Sequence, residues 1–173
     1  LASRGVESLT AQKTYIRALV ATNIVVTEGK HRLDKAMAPE YVNDQKASRQ
    51  QQVAIWSLEE KQTDVNIAIA MYRTAVKQQE LPEHEQITQL VLVSNDSDFS
   101  PAIKAVREDF PNMRIGVIAP IRERAGGDRP PSGSLTEYAD WVRKVVRNDE
   151  LASCLFPDKV PTRKKPALKP DYW

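Results

Sequence analysis

An uninterrupted apolar run that ends in closely spaced acids constrains this chain more than any other feature. The run comprises residues 90–93. It is short and rich in β-branched side chains, a pattern typical of a strand buried on both faces of a parallel sheet. Asp96 and Asp98 follow, and Ser100 with Pro101 predicts a helix start in which Ser100 caps the free N–H groups. This order places both carboxylates at the carboxyl end of a central strand, where open α/β sheets build their sites.

Two interpretations of these acids stand side by side. Carboxylate oxygens held by a rigid strand end suit a divalent cation, with room left for water or phosphate. Residues 95–98, Asn-Asp-Ser-Asp, equally suit an ordinary turn, because Asx side chains bond their own backbone. A third acid favours the metal site: Asp64 lies at the start of a predicted helix, where its alternative role is a helix cap. We predict that Asp64, Asp96 and Asp98 meet at one edge of the sheet.

Composition limits the classes of function. A chain of 173 residues holds one domain with a sizeable core, and no apolar run approaches a membrane span or a signal peptide. The single cysteine excludes an internal disulfide and a cysteine-based zinc site, and the two histidines lack metal-ligand spacing. The net charge of only +2 means that any basic surface for a nucleic acid is local. We expect a cytoplasmic protein with no membrane contact.

Helical and strand patterns alternate along the chain, which predicts an α/β fold with right-handed crossovers between parallel strands. Residues 1–150 form the predicted domain, and residues 151–173 form an extended basic tail that packs on it. The predicted helices cover residues 8–21, 39–52, 65–77 and 101–110, the predicted strands cover 24–26, 53–56, 90–93 and 113–119, and residues 135–146 hold a last helix or strand.

Residues 120–134 contain three Gly, three Pro and three Arg, which predicts a mobile loop. In a parallel sheet this loop lies on the same edge as the acids. Arg122, Arg124 and Arg129 are candidates for holding phosphates, although a solvated loop is the simpler interpretation for each one singly. Trp56 and Tyr72 are candidates for stacking on a base, but core packing is the favoured role for both.

Two blocks of sequence together resemble a known family. Residues 59–68, E-E-K-Q-T-D-V-N-I-A, and residues 90–103, L-V-L-V-S-N-D-S-D-F-S-P-A-I, resemble the bacterial NYN domain, a branch of the PIN-like nucleases. A closing S-L-x-x-x-A-D, residues 134–140, and the terminal L-F-P-D…K-P-x-x-W also match bacterial members. The likeness spans most of residues 53–173, and D-S-D-F is its most specific part.

This resemblance implies a Rossmann-like (PIN-like) parallel sheet flanked by helices and an endoribonuclease that hydrolyses RNA with Mg²⁺ or Mn²⁺. Asp64, Asp96 and Asp98 correspond to the catalytic and metal-binding acids of the family. The expected partner is single-stranded RNA, and self-association into a homo-oligomer is left open. The candidate substrate-binding residues are Lys61, Ser94, Arg122 and Arg124.

The chain departs from the family pattern in two places. Asn95 stands where the pattern has Gly, a mild change because Asn tolerates left-handed backbone. The family also opens with a strand that ends in a further acid, which residues 1–20 do not supply, so we expect a strand and a helix upstream. An inactive NYN module that binds RNA or a protein partner is therefore the alternative function. A haloacid-type phosphatase is disfavoured, because that family carries its D-x-D at the first strand.

Overall fold

A computed structural model of the chain describes residues 5–123 and 130–171. No helix in these residues is long and apolar enough to cross a membrane. Two single 3₁₀ turns, Glu83–Glu85 and Ser97–Phe99, accompany the regular elements. The elements in chain order are α1 (Gly5–Ala21), β1 (Lys30–Pro39), β2 (Gln52–Lys61), α2 (Thr63–Gln78), β3 (Gln89–Val93), α3 (Ser100–Asp109), β4 (Arg114–Ile118), α4 (Gly133–Thr136), β5 (Trp141–Arg143), α5 (Asn148–Ser153), β6 (Lys159–Val160) and β7 (Ala167–Leu168).

The organising sheet has three parallel strands in the order β3-β4-β5. Val93 pairs with Ile118, and Ile118 pairs with Arg143, so the carboxyl ends of all three strands lie on one edge. Helices α2, α3 and α4 pack around this sheet. The predicted mixed α/β fold with a parallel sheet flanked by helices is therefore confirmed.

One face of the sheet carries the core. The side chains of largest volume that are almost completely buried come from α3, β4 and α4, and each is at most 1% exposed. Burying an aliphatic side chain of this size stabilises the fold by about 1.5–3 kcal/mol. This apolar contact holds α3 and α4 onto β4, and it comprises Ile103, Val106, Ile115, Val117 and Leu135.

The position of β3 differs from the expectation. The strand lies at an edge of the described sheet and not at its centre. Leu92 is 6% exposed, whereas Val91 is 44% and Val93 is 58% exposed. Successive side chains of a strand point to opposite faces, and in the described residues the helical core covers only the face that carries Leu92. The prediction of a strand buried on both faces is wrong for this reason.

Trp141 covers part of the opposite face. Its indole lies over Gly116, its neighbour across the β4–β5 ladder, and its Nε1–H donates to Gln89 Oε1 at 2.9 Å. A Cβ at Gly116 would lie 2.1 Å from Trp141 Cζ2, so only glycine fits beneath the ring. The indole thus links all three strands.

Residues 30–61 form a separate antiparallel hairpin, in which Lys30 pairs with Lys61 and Pro39 with Gln52. The predicted helix over residues 39–52 is wrong, because residues 40–51 turn the chain and Asp44 has a φ of 61°. The predicted strand over residues 24–26 is also not formed. Trp56 is 64% exposed on β2, so its predicted core packing is wrong, because the hairpin leaves this side chain uncovered.

The tail contacts α1. Short antiparallel strands β6 and β7 place Val160 and Ala167 against Ala18. Tyr15 and Phe156 meet edge to face with ring centroids 5.9 Å apart. The division of the chain into a domain and a tail remains a prediction.

Asp140 ties three elements together. One carboxylate oxygen accepts a hydrogen bond from Arg107 Nη1 on α3 at 2.5 Å, and the other accepts one from the Ile115 N–H on β4 at 2.7 Å. The Arg107 bond, followed by the Ile115 bond, holds the pKa of the Asp140 carboxyl below its ordinary value of 3.8. The acid that closes the S-L-x-x-x-A-D pattern thus fixes the start of β5.

Replacement of Gly116 by alanine tests the indole contact. We expect Gly116→Ala to lower the free energy of unfolding by about 1–3 kcal/mol, because the methyl group displaces Trp141 from a packed position. Urea titration followed by tryptophan fluorescence measures this change. Gly133→Ala is the matched control, because nothing lies within 4 Å of a Cβ at Gly133. Equal stability losses in the two variants would contradict the packing account.

Replacement of Asp140 by asparagine tests the polar tie. Because the folded pKa lies below the unfolded one, the stabilisation is present at neutral pH and is lost as the pH falls below 3.8 and through the folded pKa. Asp140→Asn should therefore cost about 1–3 kcal/mol at neutral pH, and the deficit should shrink in acid. Urea titrations at pH 7 and in acid compare this variant with Asp44→Asn, which changes an exposed acid in the hairpin turn. A deficit independent of pH would show that the charge of Asp140 does not matter.

Candidate metal and RNA site

The two acids after β3 lie in a turn that their own side chains stabilise. The Ser94 N–H donates to Ile118 O at 3.0 Å and so continues the pairing of β3 with β4. Ser94 Oγ accepts from the Asp96 N–H at 3.1 Å, and Asp96 Oδ1 accepts from the Asp98 N–H at 3.0 Å. The turn interpretation is therefore correct for Asp96. The turn uses only one of the two carboxylate oxygens of Asp96, so Asp96 can still act as a metal ligand.

The carboxylates of Asp98 and Asp64 are exposed, and neither makes a hydrogen bond or an ion pair within residues 5–123 and 130–171. Asp64 lies in the first turn of α2, whose N-cap residue is Gln62 with a φ of 76°. The expected capping role of Asp64 is not seen, because its carboxylate bonds no backbone N–H of the helix. Helix α2 itself packs against the 3₁₀ turn that carries Asp98.

All three candidate ligands are carboxylates, and carboxylate oxygens are the type of ligand that a hard divalent cation prefers. In the part of the chain that the structure describes, however, no group of three or more His, Cys, Asp or Glu residues is arranged to hold a metal ion. The structure places Asp96 and Asp98 in one turn and sets the helix of Asp64 against that turn. The meeting of Asp64 with the other two acids remains a prediction.

The candidate substrate-binding residues have different surroundings. Lys61 ends β2, and its Nζ lies 2.5 Å from Glu59 Oε2. Arg122 follows β4, so it lies on the same sheet edge as the acids, and its Nε–H donates to Asn148 Oδ1 at 2.5 Å. Arg124, like Arg129, lies outside the described residues.

The segment after the arginine-rich loop contacts the acid turn, and the sequence alone did not reveal this contact. The Ser132 N–H donates to Asn95 Oδ1 at 2.7 Å, and Asn95 Nδ2 donates to Pro130 O at 3.4 Å. The described end of the loop therefore lies beside the acids, as the parallel sheet predicted. The only signal in the sequence was the Asn at a position where the family pattern has Gly.

Ser100 has a different role from the expected one. The residue at the N-cap of α3 is Phe99, because the 3₁₀ turn runs directly into the helix, and Ser100 already has helical φ and ψ. Ser100 Oγ donates instead to Ser134 O at 3.0 Å. The capping prediction is wrong, and the hydroxyl attaches the segment after the loop to α3.

Comparison with known proteins gives the chain a family. The NYN domain family matches residues 3–126, more than half of the chain. A curated relative from Pseudomonas putida (strain DSM 28022 / S16), named 6-hydroxy-3-succinoylpyridine 3-monooxygenase HspA, is 32% identical over 179 residues. That match covers 99% of this chain and 53% of the relative, so the chain spans about half of the relative's length. No solved structure matches the chain.

The family match begins near the start of the chain, so it includes α1 and the hairpin in addition to the two blocks that carry the resemblance. NYN domains generally bind RNA, and PIN-like nucleases generally depend on divalent metal ions. The extent of the match and the acid turn after β3 lead to the same conclusion: this chain belongs to the NYN domain family.

Proposed function

We propose that this protein is a metal-dependent endoribonuclease that hydrolyses RNA phosphodiesters at the turn after β3. The observation that carries the proposal is the pair of exposed acids, Asp96 and Asp98, in a hydrogen-bonded turn at the carboxyl end of a parallel strand. Asp64 lies on the helix that packs against this turn. We take single-stranded RNA as the substrate, Mg²⁺ or Mn²⁺ as the ion, and the bacterial cytoplasm as the location.

In this proposal Asp64, Asp96 and Asp98 hold the ion. A bound divalent ion supplies a water of lowered pKa and stabilises charge on the phosphate. The chain contributes a fixed geometry: the bond from the Asp98 N–H holds Asp96 Oδ1, which leaves Asp96 Oδ2 without a partner among the residues that the structure describes. That oxygen and the exposed carboxylates of Asp98 and Asp64 are the groups available to an ion.

Positive groups must offset the repulsion between the carboxylates and the phosphates of RNA, because the net charge of the chain is only +2. We assign this task to Lys61, Arg122 and Arg124. Asn148 orients Arg122 by accepting a hydrogen bond from the Arg122 Nε–H. The terminal nitrogens of the guanidinium can therefore donate to a phosphate. The hydroxyl of Ser94 accepts from the Asp96 N–H and retains its own proton for a phosphate oxygen.

Removal of one negative charge tests the proposal. Asp96→Asn should reduce Mn²⁺-dependent cleavage of single-stranded RNA by more than about 100-fold, beyond the effect expected for groups that only support a ligand. The fold should remain intact, because an asparagine oxygen can still accept from the Asp98 N–H. Cleavage is followed on an end-labelled oligonucleotide, and thermal unfolding checks the fold.

Asp158→Asn is the matched control, because Asp158 is 93% exposed and lies in the tail. It should cleave RNA as the parent does. Undiminished cleavage by purified Asp96→Asn protein would refute the role of the acid.

Two other functions are separated by direct measurements. RNA binding without cleavage by the parent protein, in the presence of Mn²⁺, would select the inactive NYN module. The 32% identity to a protein named as a monooxygenase favours a second candidate, the oxygenation of a hydroxylated pyridine. Oxygen uptake with 6-hydroxy-3-succinoylpyridine and a nicotinamide reductant tests it, and no uptake above that of the buffer would exclude it for this chain.

A further inference from the structure

Asn95 holds a segment that is distant in sequence. Its side chain accepts from the Ser132 N–H and donates to Pro130 O, across 37 and 35 residues of chain. Asn95 is half-buried, and so is Ser132. The amide therefore uses both its acceptor and its donor on one short stretch of backbone.

Backbone conformation does not explain the asparagine. Among the described residues other than glycine, only Asn23, Asp44 and Gln62 have a positive φ. The backbone of Asn95 is therefore not left-handed, so the reason expected for a mild change from glycine does not apply. The contacts of its side chain give the residue a structural role.

A second hydrogen bond fixes the same segment two residues later. Ser100 Oγ donates to Ser134 O, and the hydroxyls of Ser132 and Ser134 lie 2.9 Å apart. Helix α4, which begins at Gly133, packs against the 3₁₀ turn that carries Asp98. The segment 130–134 is thus attached on both sides of the acids, to Asn95 before them and to Ser100 after them.

The residues on the β4 side are anchored as well. Arg122 forms a bridge with Val146, the Glu123 N–H donates to Val146 O, and the Arg122 Nε–H donates to Asn148. Arg122 and Ser132 therefore have fixed positions on the sheet edge that carries the acids.

We propose that Asn95 is a positioning residue that holds segment 130–134 against the acid turn and thereby sets how RNA phosphates are bound beside the carboxylates. This inference rests on the proposed ribonuclease function. Asn95 contacts backbone and not the reacting groups, so its effect falls on binding. Contacts to phosphates that are equal in the ground state and the transition state change KM and leave kcat nearly unchanged.

The test compares variants in steady-state cleavage of a single-stranded oligonucleotide with Mn²⁺. Asn95→Ala should raise KM by about five- to tenfold, the effect of losing a hydrogen bond, and should change kcat by less than about twofold. Ser100→Ala should act in the same direction, and Ser100→Thr, which keeps the hydroxyl, should restore the parental KM. An unchanged KM, or a fall in kcat alone, would overturn the inference.

Thr136→Ala is the matched control, because the Thr136 hydroxyl bonds only Gly133 O inside α4. It should leave KM unchanged. Hydrogen exchange at the Ser132 amide provides a structural readout: Asn95→Ala should accelerate it by about tenfold or more relative to the parent and to Thr136→Ala. Unaccelerated exchange would show that Asn95 does not hold the segment.

Failure of the inference and failure of the proposed function are distinguishable. If the parent cleaves RNA and Asn95→Ala has the parental KM, the ribonuclease function is supported and the positioning role of Asn95 is refuted. If the parent binds RNA without cleaving it, the ribonuclease falls, and the positioning role is judged by affinity, which Asn95→Ala should weaken by about five- to tenfold. If the parent neither cleaves nor binds RNA, both fall.

Discussion

The parallel pairing of β3 with β4 determines where Asp96, Asp98 and Arg122 lie. Val93 opposite Ile118 aligns the carboxyl ends of the two strands, and the Ser94 N–H extends the ladder by one bond. The acids leave β3 and Arg122 leaves β4 at the same edge because of this register. A shift by one residue would reverse which side chains of β3 face the core, so the burial of Leu92 fixes the register and with it the site.

The parts of the fold that the sequence predicted are those with strong local periodicity. Helices α1, α2 and α3 and strands β3 and β4 occur where the apolar spacing places them. The predicted strand over residues 53–56 lies within β2, but the hairpin itself could not be predicted, because its formation depends on pairing across residues 40–51 and not on a local pattern. The edge position of β3 was missed for a related reason: four apolar residues in a row do not reveal how many faces will be covered.

In the candidate site, too, local features were predicted from the sequence and long-range contacts were not. A strand followed by two spaced acids and a helix was sufficient to place Asp96 and Asp98 at a sheet edge, since this is a local arrangement. The contacts of Asn95 and Ser100 with residues 130–134 join parts of the chain that are more than thirty residues apart. No single-sequence pattern specifies such pairs. Both were assigned a local role instead, as a tolerated backbone substitution and as a helix cap.

Binding of one divalent ion by Asp64, Asp96 and Asp98 can be measured by Mn²⁺ titration followed by nuclear magnetic resonance. Paramagnetic broadening depends steeply on distance from the ion. We expect the amide signals of Asp96, Asp98 and Asp64 to disappear together at low Mn²⁺, while those of Asp158 and of Asp44, in the turn at the far end of the hairpin, persist. Broadening that leaves Asp64 unaffected, or that begins at Asp44, would contradict a shared metal site.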